Sequence, residues 1–177
     1  MEAAVSAVTP IDQEPLVSPR TLFRRLALIE AVTWTLLLIG MVLKYVTATT
    51  DLGVRIGGGL HGLAFLAYLA ATVYVAIDGR WSAGRTAVGL ASAVIPYATL
   101  PFERSTERRG LLGDRWRLGP AADETGAGGM AEMPRTALER LQAATLRRPV
   151  VTVVIGVVVV LAVFGALLVV GPPVPRS

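Results

Sequence analysis

Four ionisable side chains lie within or at the edges of long apolar stretches: Glu30, Lys44, His61 and Arg85. An ionisable group at membrane depth is costly, so it usually faces a partner or water and often marks a functional site. A carboxyl group together with an imidazole could relay protons. Glu30 and His61 are therefore the first candidates for chemistry in this sequence.

Helix geometry argues against a direct contact between these two groups. When each apolar stretch is centred in the bilayer and rises about 1.5 Å per residue, Glu30 and His61 differ in depth by about 16 Å. The depths of Glu30 and Arg85 differ by only about 5 Å, as do those of Lys44 and His61. We therefore expect an ion pair between Glu30 and Arg85 that locks the first helix to the third. Snorkelling of each charge to its own interface and a proton- or ion-handling role are the alternatives.

Composition excludes most metal and redox chemistry. The chain has no cysteine, so it holds no disulfide, thiolate metal site or iron–sulfur cluster, and its single histidine cannot build a multi-histidine centre within one copy. His61 could ligate haem only with a second axial ligand from a methionine, a partner subunit or a symmetry-related His61, and nothing in the sequence fixes one, so satisfied packing is the expectation. The apolar stretches contain no Ser-His-Asp order, carboxylate dyad or metal-ligand spacing. We expect no catalytic residue, metal or cofactor.

Two helix faces are predicted to meet protein rather than lipid. On the first helix, polar and small residues recur at spacings of three and four, at Glu30, Thr33, Leu37, Gly40 and Lys44. On the second helix, one side carries His61, Phe65, Tyr68 and Thr72. The second helix also contains the Gly58-x-x-x-Gly62 spacing, which permits close helix approach, so we predict helix packing at Gly58 and Gly62.

The elements that position these residues belong in a membrane. Apolar residues make up 53% of the 177-residue chain and charged residues 17%, a balance outside that of soluble domains. A membrane-spanning helix needs about 20 mostly apolar residues, and four stretches come close. The prediction is an all-α, polytopic membrane protein. A three-helix membrane unit at 18–104 has helices at about 21–46, 54–77 and 84–102, and a fourth transmembrane helix covers 149–171.

The third apolar stretch is the least regular. It is short, and it contains Pro96 and Pro101. If it crosses the membrane, the 17 Lys and Arg residues divide eleven to six between the two sides. If it enters and leaves by one face, fourteen lie together and three lie opposite. Because a re-entrant backbone requires shielding by protein or water, four crossings are the prediction, and the orientation stays open.

Four further segments complete the predicted organisation. Residues 1–17 contain no Arg or Lys and are expected to form a disordered tail, and residues 172–177 form a second tail. Residues 105–133 are an Arg-rich and then Gly/Ala-rich loop. Residues 134–148 form an amphipathic helix that is predicted to lie against lipid headgroups, and a docking helix for a partner is the alternative. The residues near one face of that helix are Leu138, Leu141, Thr145 and Leu146.

Several separated motifs occur in the order found in a bacterial membrane family. They are Glu30; Met41-Val42-Leu43-Lys44-Tyr45; Val54-Arg55, followed by His61-Gly62, Phe65 and Tyr68; Trp81-Ser82; Leu90-Ala91-Ser92; Pro96-Tyr97-Ala98-Thr99; and Phe102-Glu103-Arg104. On these motifs, residues 21–104 resemble the family named domain of unknown function 3817 (DUF3817). Ala31, Val42 and Ala98 stand where the family has glycine, proline and glycine. The resemblance implies a three-helix membrane unit whose third segment is a span, with the long loop and the fourth helix as additions, and it implies no activity.

The expected function is that of a small non-enzymatic protein of the plasma membrane. We expect an accessory, assembly or interaction subunit that forms a homo-oligomer or joins a larger membrane complex. The alternative is an oligomeric transporter of protons, ions or small solutes that uses Glu30 and His61. A membrane enzyme ranks third, because its acid and base groups must converge on one pocket.

Membrane lipids are the other expected partners. The region between the third and fourth stretches carries nine arginines and seven acidic residues. Anionic lipid headgroups explain these arginines. The acidic residues nearly offset them in net charge, which argues against nucleic acid as a partner.

Overall fold

The computed structural model describes residues 17–119 and 133–170. Every regular element in these residues is a helix, which confirms the all-α prediction. The predicted tails and the Gly/Ala-rich part of the loop lie almost entirely outside the described residues. The α-helices, in chain order, are α1 (Pro19–Met41), α2 (Leu52–Asp78), α3 (Ala83–Ser92), α4 (Thr99–Arg108), α5 (Ala137–Leu146) and α6 (Pro149–Val170).

Three of these helices are long and apolar enough to cross a membrane: α1 with its continuation to Val46, α2, and α6. They correspond to the first, second and fourth predicted spans. The start of α1 follows from its sequence, because the Ser18 hydroxyl accepts a hydrogen bond from the Thr21 N–H at 3.2 Å and Pro19 occupies the first turn. The end of α1 continues as a π-helical turn, Val42–Val46, and residues 47–51 lead to α2.

The segment predicted as the third spanning helix is divided in two. Helices α3 and α4 have ten residues each, too few to cross a membrane. Between them, Pro96 lacks the N–H that a continuous helix needs, and Tyr97 adopts the left-handed backbone conformation, with φ 63°. The single helix predicted over 84–102 therefore does not form, and the described residues hold no candidate span there.

Helices α3 and α4 form a hairpin whose two ends lie at the same height. The Arg85 guanidinium, near the start of α3, donates to the Thr106 hydroxyl, near the end of α4, at 2.8 Å. At the turn, the Tyr97 hydroxyl lies 3.1 Å from the hydroxyl of Thr35, in the last third of α1. The chain thus runs out beside α2 and returns beside α1, which is the geometry expected of a re-entrant hairpin.

The hairpin turn satisfies much of its own backbone. The N–H groups of Ala93, Val94, Ile95 and Ala98 each donate to the carbonyl three residues earlier. The Trp34 indole of α1 donates to the Ala93 carbonyl at 3.4 Å. These hydrogen bonds lower the desolvation cost of a re-entrant backbone. That cost was the reason for predicting four crossings from the sequence.

The ends of most elements lie together on one side of the protein. The Trp116 indole donates to the Val17 carbonyl, just before α1, at 2.9 Å. The N–H of Leu118 donates to Asp78, at the end of α2, at 3.2 Å. We call this side the arginine face, and it comprises residues 17–20, 78–82, 106–119 and 133–148.

Helices α5 and α6 complete the topology from the arginine face. The Thr145 hydroxyl of α5 lies 2.8 Å from the hydroxyl of Tyr74, which is close to the end of α2. Phe164 of α6 lies 3.0 Å from the position that a Cβ would take on Gly62, more than three turns earlier in α2. Since α6 begins beside the end of α2, it runs antiparallel to α2. The described chain therefore leaves the arginine face, returns to it, and leaves it again.

Aromatic rings fill the space between α1, α2 and the hairpin next to the arginine face. The ring centroid of Phe23 lies 5.3 Å from that of Tyr68, 5.6 Å from that of Trp81 and 6.2 Å from that of Phe102. Aromatic pairs of this kind contribute about 0.5–1.5 kcal/mol beyond their area of burial. They fix the hairpin against α1 and thereby position its polar groups.

Candidate functional site

The Glu30 side chain is fully buried, with 0% of its surface exposed. Its Oε2 accepts a hydrogen bond from the Thr99 hydroxyl, in the first turn of α4, at 2.7 Å. Its Oε1 is also buried and has no hydrogen-bond partner among the described residues. The indole of Trp34, one turn further along α1, faces the same carboxyl group. The hairpin thus supplies the main polar contact to a carboxyl group that α1 holds inside the membrane.

The ion pair predicted between Glu30 and Arg85 is absent from the described residues. Arg85 donates to Thr106, and its guanidinium carbon lies 5.8 Å and 5.4 Å from the ring centroids of Trp81 and Phe102. The reason is the hairpin. Because α3 begins at the arginine face and α4 returns to it, the start of α4 reaches the depth of Glu30 and Arg85 does not.

His61 is packed within a small polar group between α1 and α2. Its Nδ1 lies 3.3 Å from the Thr33 hydroxyl oxygen, and that hydroxyl donates to the Glu30 backbone carbonyl at 2.9 Å. Because the carbonyl uses the hydroxyl proton, the contact with His61 requires a proton on Nδ1. The Trp34 ring packs against the imidazole with 4.3 Å between centroids.

The depth estimate that separated Glu30 from His61 is wrong. His61 lies beside Thr33, only three residues and about 4.5 Å of helix rise from Glu30, instead of about 16 Å away. The estimate centred each helix separately, whereas the backbone contact of Gly40 with Gly53 sets the register close to the connection. No hydrogen bond joins the two side chains within the described part of the chain, and Thr33 lies between them.

The predicted match in depth between Lys44 and His61 is wrong for the same reason. Lys44 is exposed in the π-helical end of α1, and its Nζ lies 5.3 Å from the ring centroid of Tyr45. Thr33, the neighbour of His61, lies eleven residues earlier, which is about 16 Å of helix rise. Lys44 therefore belongs to the membrane surface opposite the arginine face.

The closest packing of α1 on α2 uses a different glycine pair from the predicted one. A Cβ on Gly40 would overlap the backbone of Gly53, and a Cβ on Gly57 would lie 2.9 Å from the backbone of α1. A Cβ on Gly58 would meet only a side chain of α1, at an ordinary 3.7 Å. The spacing that permits the close approach is therefore Gly53-x-x-x-Gly57, whereas Gly62 packs against α6.

Sequence reasoning missed the role of the hydroxyl groups that the hairpin brings to α1 and α2. Besides Thr99, the Ser92 hydroxyl lies 3.1 Å from the Tyr68 hydroxyl, and Tyr97 contacts Thr35 at the same distance. A signal was present, because a buried carboxyl group needs a hydrogen-bond donor and the third stretch is rich in hydroxyl residues. A turn at Pro96 would have placed those hydroxyls at the correct depth.

A second polar cluster joins α5 to α2 at the arginine face. The Glu139 Oε1 accepts hydrogen bonds from Arg80 at 3.2 Å and from Arg117 at 2.8 Å, and its Oε2 accepts one from the Arg135 N–H at 2.6 Å. These contacts, with the Arg135 N–H as the largest cause, lower the pKa of Glu139 to about 2. The capping box of Thr136 and Glu139 was the available sequence signal, and sequence reasoning missed it.

The residues predicted to share one face of α5 lie in two different environments. Its buried residues are Glu139, Gln142 and Leu146, and Gln142 donates to the backbone of α2 at 2.8 Å. Leu138 and Leu141 are exposed. The polar groups of α5 meet a backbone carbonyl of α2 and the side chains of Arg80 and Arg117, so α5 docks on this protein and leaves two leucines outside. Contact of those leucines with lipid stays a prediction.

The cluster around Glu30 and His61 has limited chemical scope. The described residues hold no group of three or more His, Cys, Asp or Glu side chains that could bind a metal ion. Two surface pockets, of about 370 and 290 Å³, are lined by neither Glu30 nor His61. The arrangement can hold one carboxyl group and one imidazole in a dry, hydrogen-bonded environment.

Residues 20–108, about half of the chain, match the family described as domain of unknown function (DUF3817). The chain belongs to this family. A "putative membrane protein" of Streptomyces coelicolor is 52% identical over 91 residues, which are 51% of this chain and 11% of that relative. This chain therefore spans only a small part of the length of the curated relative that it matches. No solved structure matches it. The family region contains the whole unit of α1 to α4, with Glu30, His61 and the hairpin, whereas α5 and α6 lie beyond it.

Proposed function

We propose that this DUF3817 protein is a non-enzymatic interaction subunit of the plasma membrane, in which a protein partner covers the hairpin turn. One observation carries the proposal. The turn is exposed beside the last third of α1, with 64% of Val94 and 60% of Ile95 exposed. Non-helical backbone at membrane depth is tolerated only where protein or water shields it. The protein's own helices shield one side of the turn, and a partner is needed for the other.

A groove beside the turn offers the partner a place to pack. Because the hairpin reaches α1 only as far as Thr35, the end of α1 and its continuation to Val46 are left open on this side. The groove measures about 290 Å³ and is lined by Thr35, Leu38, Ile39, Val42, Leu43 and Tyr97. Two exposed hydroxyl groups in an otherwise apolar wall suit a contact between helices in a membrane.

The Streptomyces relative supports a role within a larger assembly. The matched region is 11% of that protein, so a unit similar to α1–α4 is a small part of a much longer polypeptide there. We infer that the same unit contacts a larger membrane protein in the present case. A second copy of this chain is the other occupant that the experiment below would reveal.

The arginine face is proposed to lie in the cytoplasm. With three crossings and a re-entrant hairpin, fourteen of the 17 Lys and Arg residues fall on this side, and Lys44, Arg55 and Arg176 fall on the other by their positions in the sequence. Short loops rich in positive charge stay on the cytoplasmic side. The division of fourteen to three is sharper than the division of eleven to six that four crossings would give.

Photo-crosslinking at the hairpin turn tests the proposed partner. A photoreactive amino acid replaces Ile95 in one variant, and Ile155 of α6 in a matched control that has a similar exposure on the face of a plain spanning helix. We expect the first variant to form one defined protein adduct in cells and the control to react with lipid. The same partner should remain in stoichiometric amount after purification in mild detergent. Lipid adducts at both positions, together with a purified monomer, would contradict the proposal.

Transport of protons or ions is the second candidate function. The observation that favours it is that the Thr33 hydroxyl contacts both His61 and the backbone carbonyl of Glu30, so the imidazole and the carboxyl group lie at similar depth. Both side chains are buried, so an oligomer would have to provide the pathway. Proton flux in proteoliposomes that is lost in Glu30→Gln would support transport, and folded protein without flux would exclude it.

A further inference from the structure

Three of the arginines that take part in no ion pair among the described residues lie together on the outer side of α4. Within the described residues, every ion pair uses an arginine elsewhere on the arginine face. Arg104, Arg108 and Arg109 take part in none of them, and all three are exposed. Their charges are therefore available to a ligand.

These three side chains line an open pocket of about 370 Å³ together with Pro101 and Ser105. On a helix, residues three and four positions apart share one face, so Pro101, Arg104, Ser105 and Arg108 form one stripe along α4. Arg109 follows directly after the helix. The pocket is thus built from one continuous segment, which covers most of α4 and the residue that follows it.

Positive charge predominates at this pocket. The neighbouring acidic side chains are Glu103, which is buried, and Glu107, which pairs with Arg20 at 3.5 Å. The carboxyl end of α4 adds a partial negative charge of roughly half an elementary charge. Three guanidinium groups outweigh these charges, so the pocket favours an anion.

The stripe becomes apolar towards the membrane interior. Phe102, on the buried side of α4, packs against Phe23 near the start of α1. The arginines therefore lie at the level where α1 enters the bilayer, which is the level of lipid headgroups. Deeper along the same side of the hairpin, Pro101 and then Tyr97 are exposed. An anionic head with an apolar tail matches this order of residues.

We propose that this stripe binds an anionic phospholipid. Arg104, Ser105, Arg108 and Arg109 bind the headgroup phosphate, and the acyl chains lie along Pro101 towards the hairpin turn. Guanidinium groups bind phosphate oxygens through paired N–H donors, which a lysine cannot reproduce. This site goes beyond the proposed interaction role, because lipid binding here requires no protein partner.

Native mass spectrometry of the full-length protein, with phosphatidylglycerol and phosphatidylcholine present in the detergent, tests the site. The pocket variant is Arg104→Gln/Arg108→Gln/Arg109→Gln. The control variant changes the net charge equally on the same face and is Arg135→Gln/Arg140→Gln/Arg147→Gln. We expect the preference for phosphatidylglycerol to fall about tenfold or more in the pocket variant, because each arginine near an anionic lipid contributes about fivefold. The control should change it by less than about twofold.

Equal losses in the two variants would overturn the proposal, because the attraction would then belong to the whole arginine face. Displacement of phosphatidylglycerol by millimolar inorganic phosphate would also overturn it, since the ligand would then be a free anion. A third variant, Arg104→Lys/Arg108→Lys/Arg109→Lys, keeps the charge. It tests the site even if the glutamine variant does not fold. A reduced preference in this variant supports the guanidinium contacts, and an unchanged preference contradicts them.

Discussion

The unit formed by α1, α2 and the hairpin is held together differently from α6. The unit buries a carboxyl group, an imidazole and several hydroxyls, and the backbones of α1 and α2 approach each other directly at Gly40 and Gly53. Helix α6 has 22 residues and none of them is buried, although Phe164 meets α2 at Gly62. Because lipid tails are as apolar as valine, apolar side chains alone give little preference for protein over lipid. Small and polar residues hold the first unit together, and valines only keep α6 in the membrane.

Substitution of Gly40 is expected to have the largest effect on stability. In Gly40→Ala the new Cβ overlaps the Gly53 backbone, so α1 and α2 must separate. We expect a loss of about 3 kcal/mol in the free energy of unfolding. Gly156→Ala on α6 is the matched control, because nothing lies within 4 Å of its Cβ position. Unfolding in SDS, followed by circular dichroism, measures both variants, and equal stabilities would show that the two regions pack alike.

Removal of the Glu30 carboxyl group is expected to have the next largest effect. Glu30→Ala removes the nearer acceptor of the Thr99 hydroxyl, leaves it only the Ala27 carbonyl at 3.4 Å, and empties a buried site, which together cost about 2 kcal/mol. Glu30→Gln keeps an acceptor and should cost less than about 1 kcal/mol. The same unfolding measurement distinguishes the two variants. If Glu30→Ala and Glu30→Gln both left the free energy of unfolding unchanged, the hairpin would not be held to α1 through this contact.

Acid is expected to loosen α5, the element that joins the two regions. The pKa of Glu139 falls from its ordinary value of 4.5 to about 2 in the folded protein, mainly through the Arg135 N–H and then the Arg80 and Arg117 guanidinium groups. Because the folded-state pKa is the lower one, this stabilisation is present above the ordinary pKa and is lost as the pH falls towards 2.

Hydrogen exchange of residues 133–148, corrected for the intrinsic rate, should show protection at pH 7 that declines between pH 4 and 3. Glu139→Gln is the control, and it should already show reduced protection at pH 7 with little further change in acid. Equal protection of the unmodified protein at pH 7 and pH 3 would show that Glu139 does not hold α5.

Loss of the Phe164 ring is expected to have the smallest effect. In Phe164→Ala, lipid replaces the contact with Gly62, so the free energy of unfolding should fall by less than about 1 kcal/mol. The SDS measurement used for Gly40→Ala applies here as well. A loss as large as that of Gly40→Ala would mean that α6 is packed like α1 and α2, and the contrast between the two regions would disappear.

Local features of the sequence were sufficient to predict the three long helices and the family. The apolar length of α1, α2 and α6 follows from composition alone, and Ser18 with Pro19 indicates where α1 begins. The hairpin was different, because Pro96 is compatible with either a kink or a reversal. The choice depends on contacts that only the folded chain makes, such as Thr99 with Glu30 and Trp34 with the Ala93 carbonyl.

The candidate site was harder to predict than the elements that carry it. Glu30 and His61 were recognised by residue type, but their partners depend on helix register. Centring each apolar stretch in the bilayer misplaced His61 by about two turns, because the register is set by backbone contact at Gly40 and Gly53. The motif Gly53-x-x-x-Gly57 was present in the sequence, and the neighbouring Gly58-x-x-x-Gly62 could not be distinguished from it without the orientation of the helix.

Cysteine accessibility tests the re-entrant hairpin most directly. The chain has no cysteine, so the single variants Thr49→Cys, Ser82→Cys and Arg115→Cys can be labelled without background. With an impermeant maleimide, we expect Thr49→Cys to react on intact cells, and Ser82→Cys and Arg115→Cys to react only after permeabilisation. Reaction of Ser82→Cys and Arg115→Cys from opposite sides of the membrane would show that the segment between them crosses, and it would contradict the re-entrant hairpin.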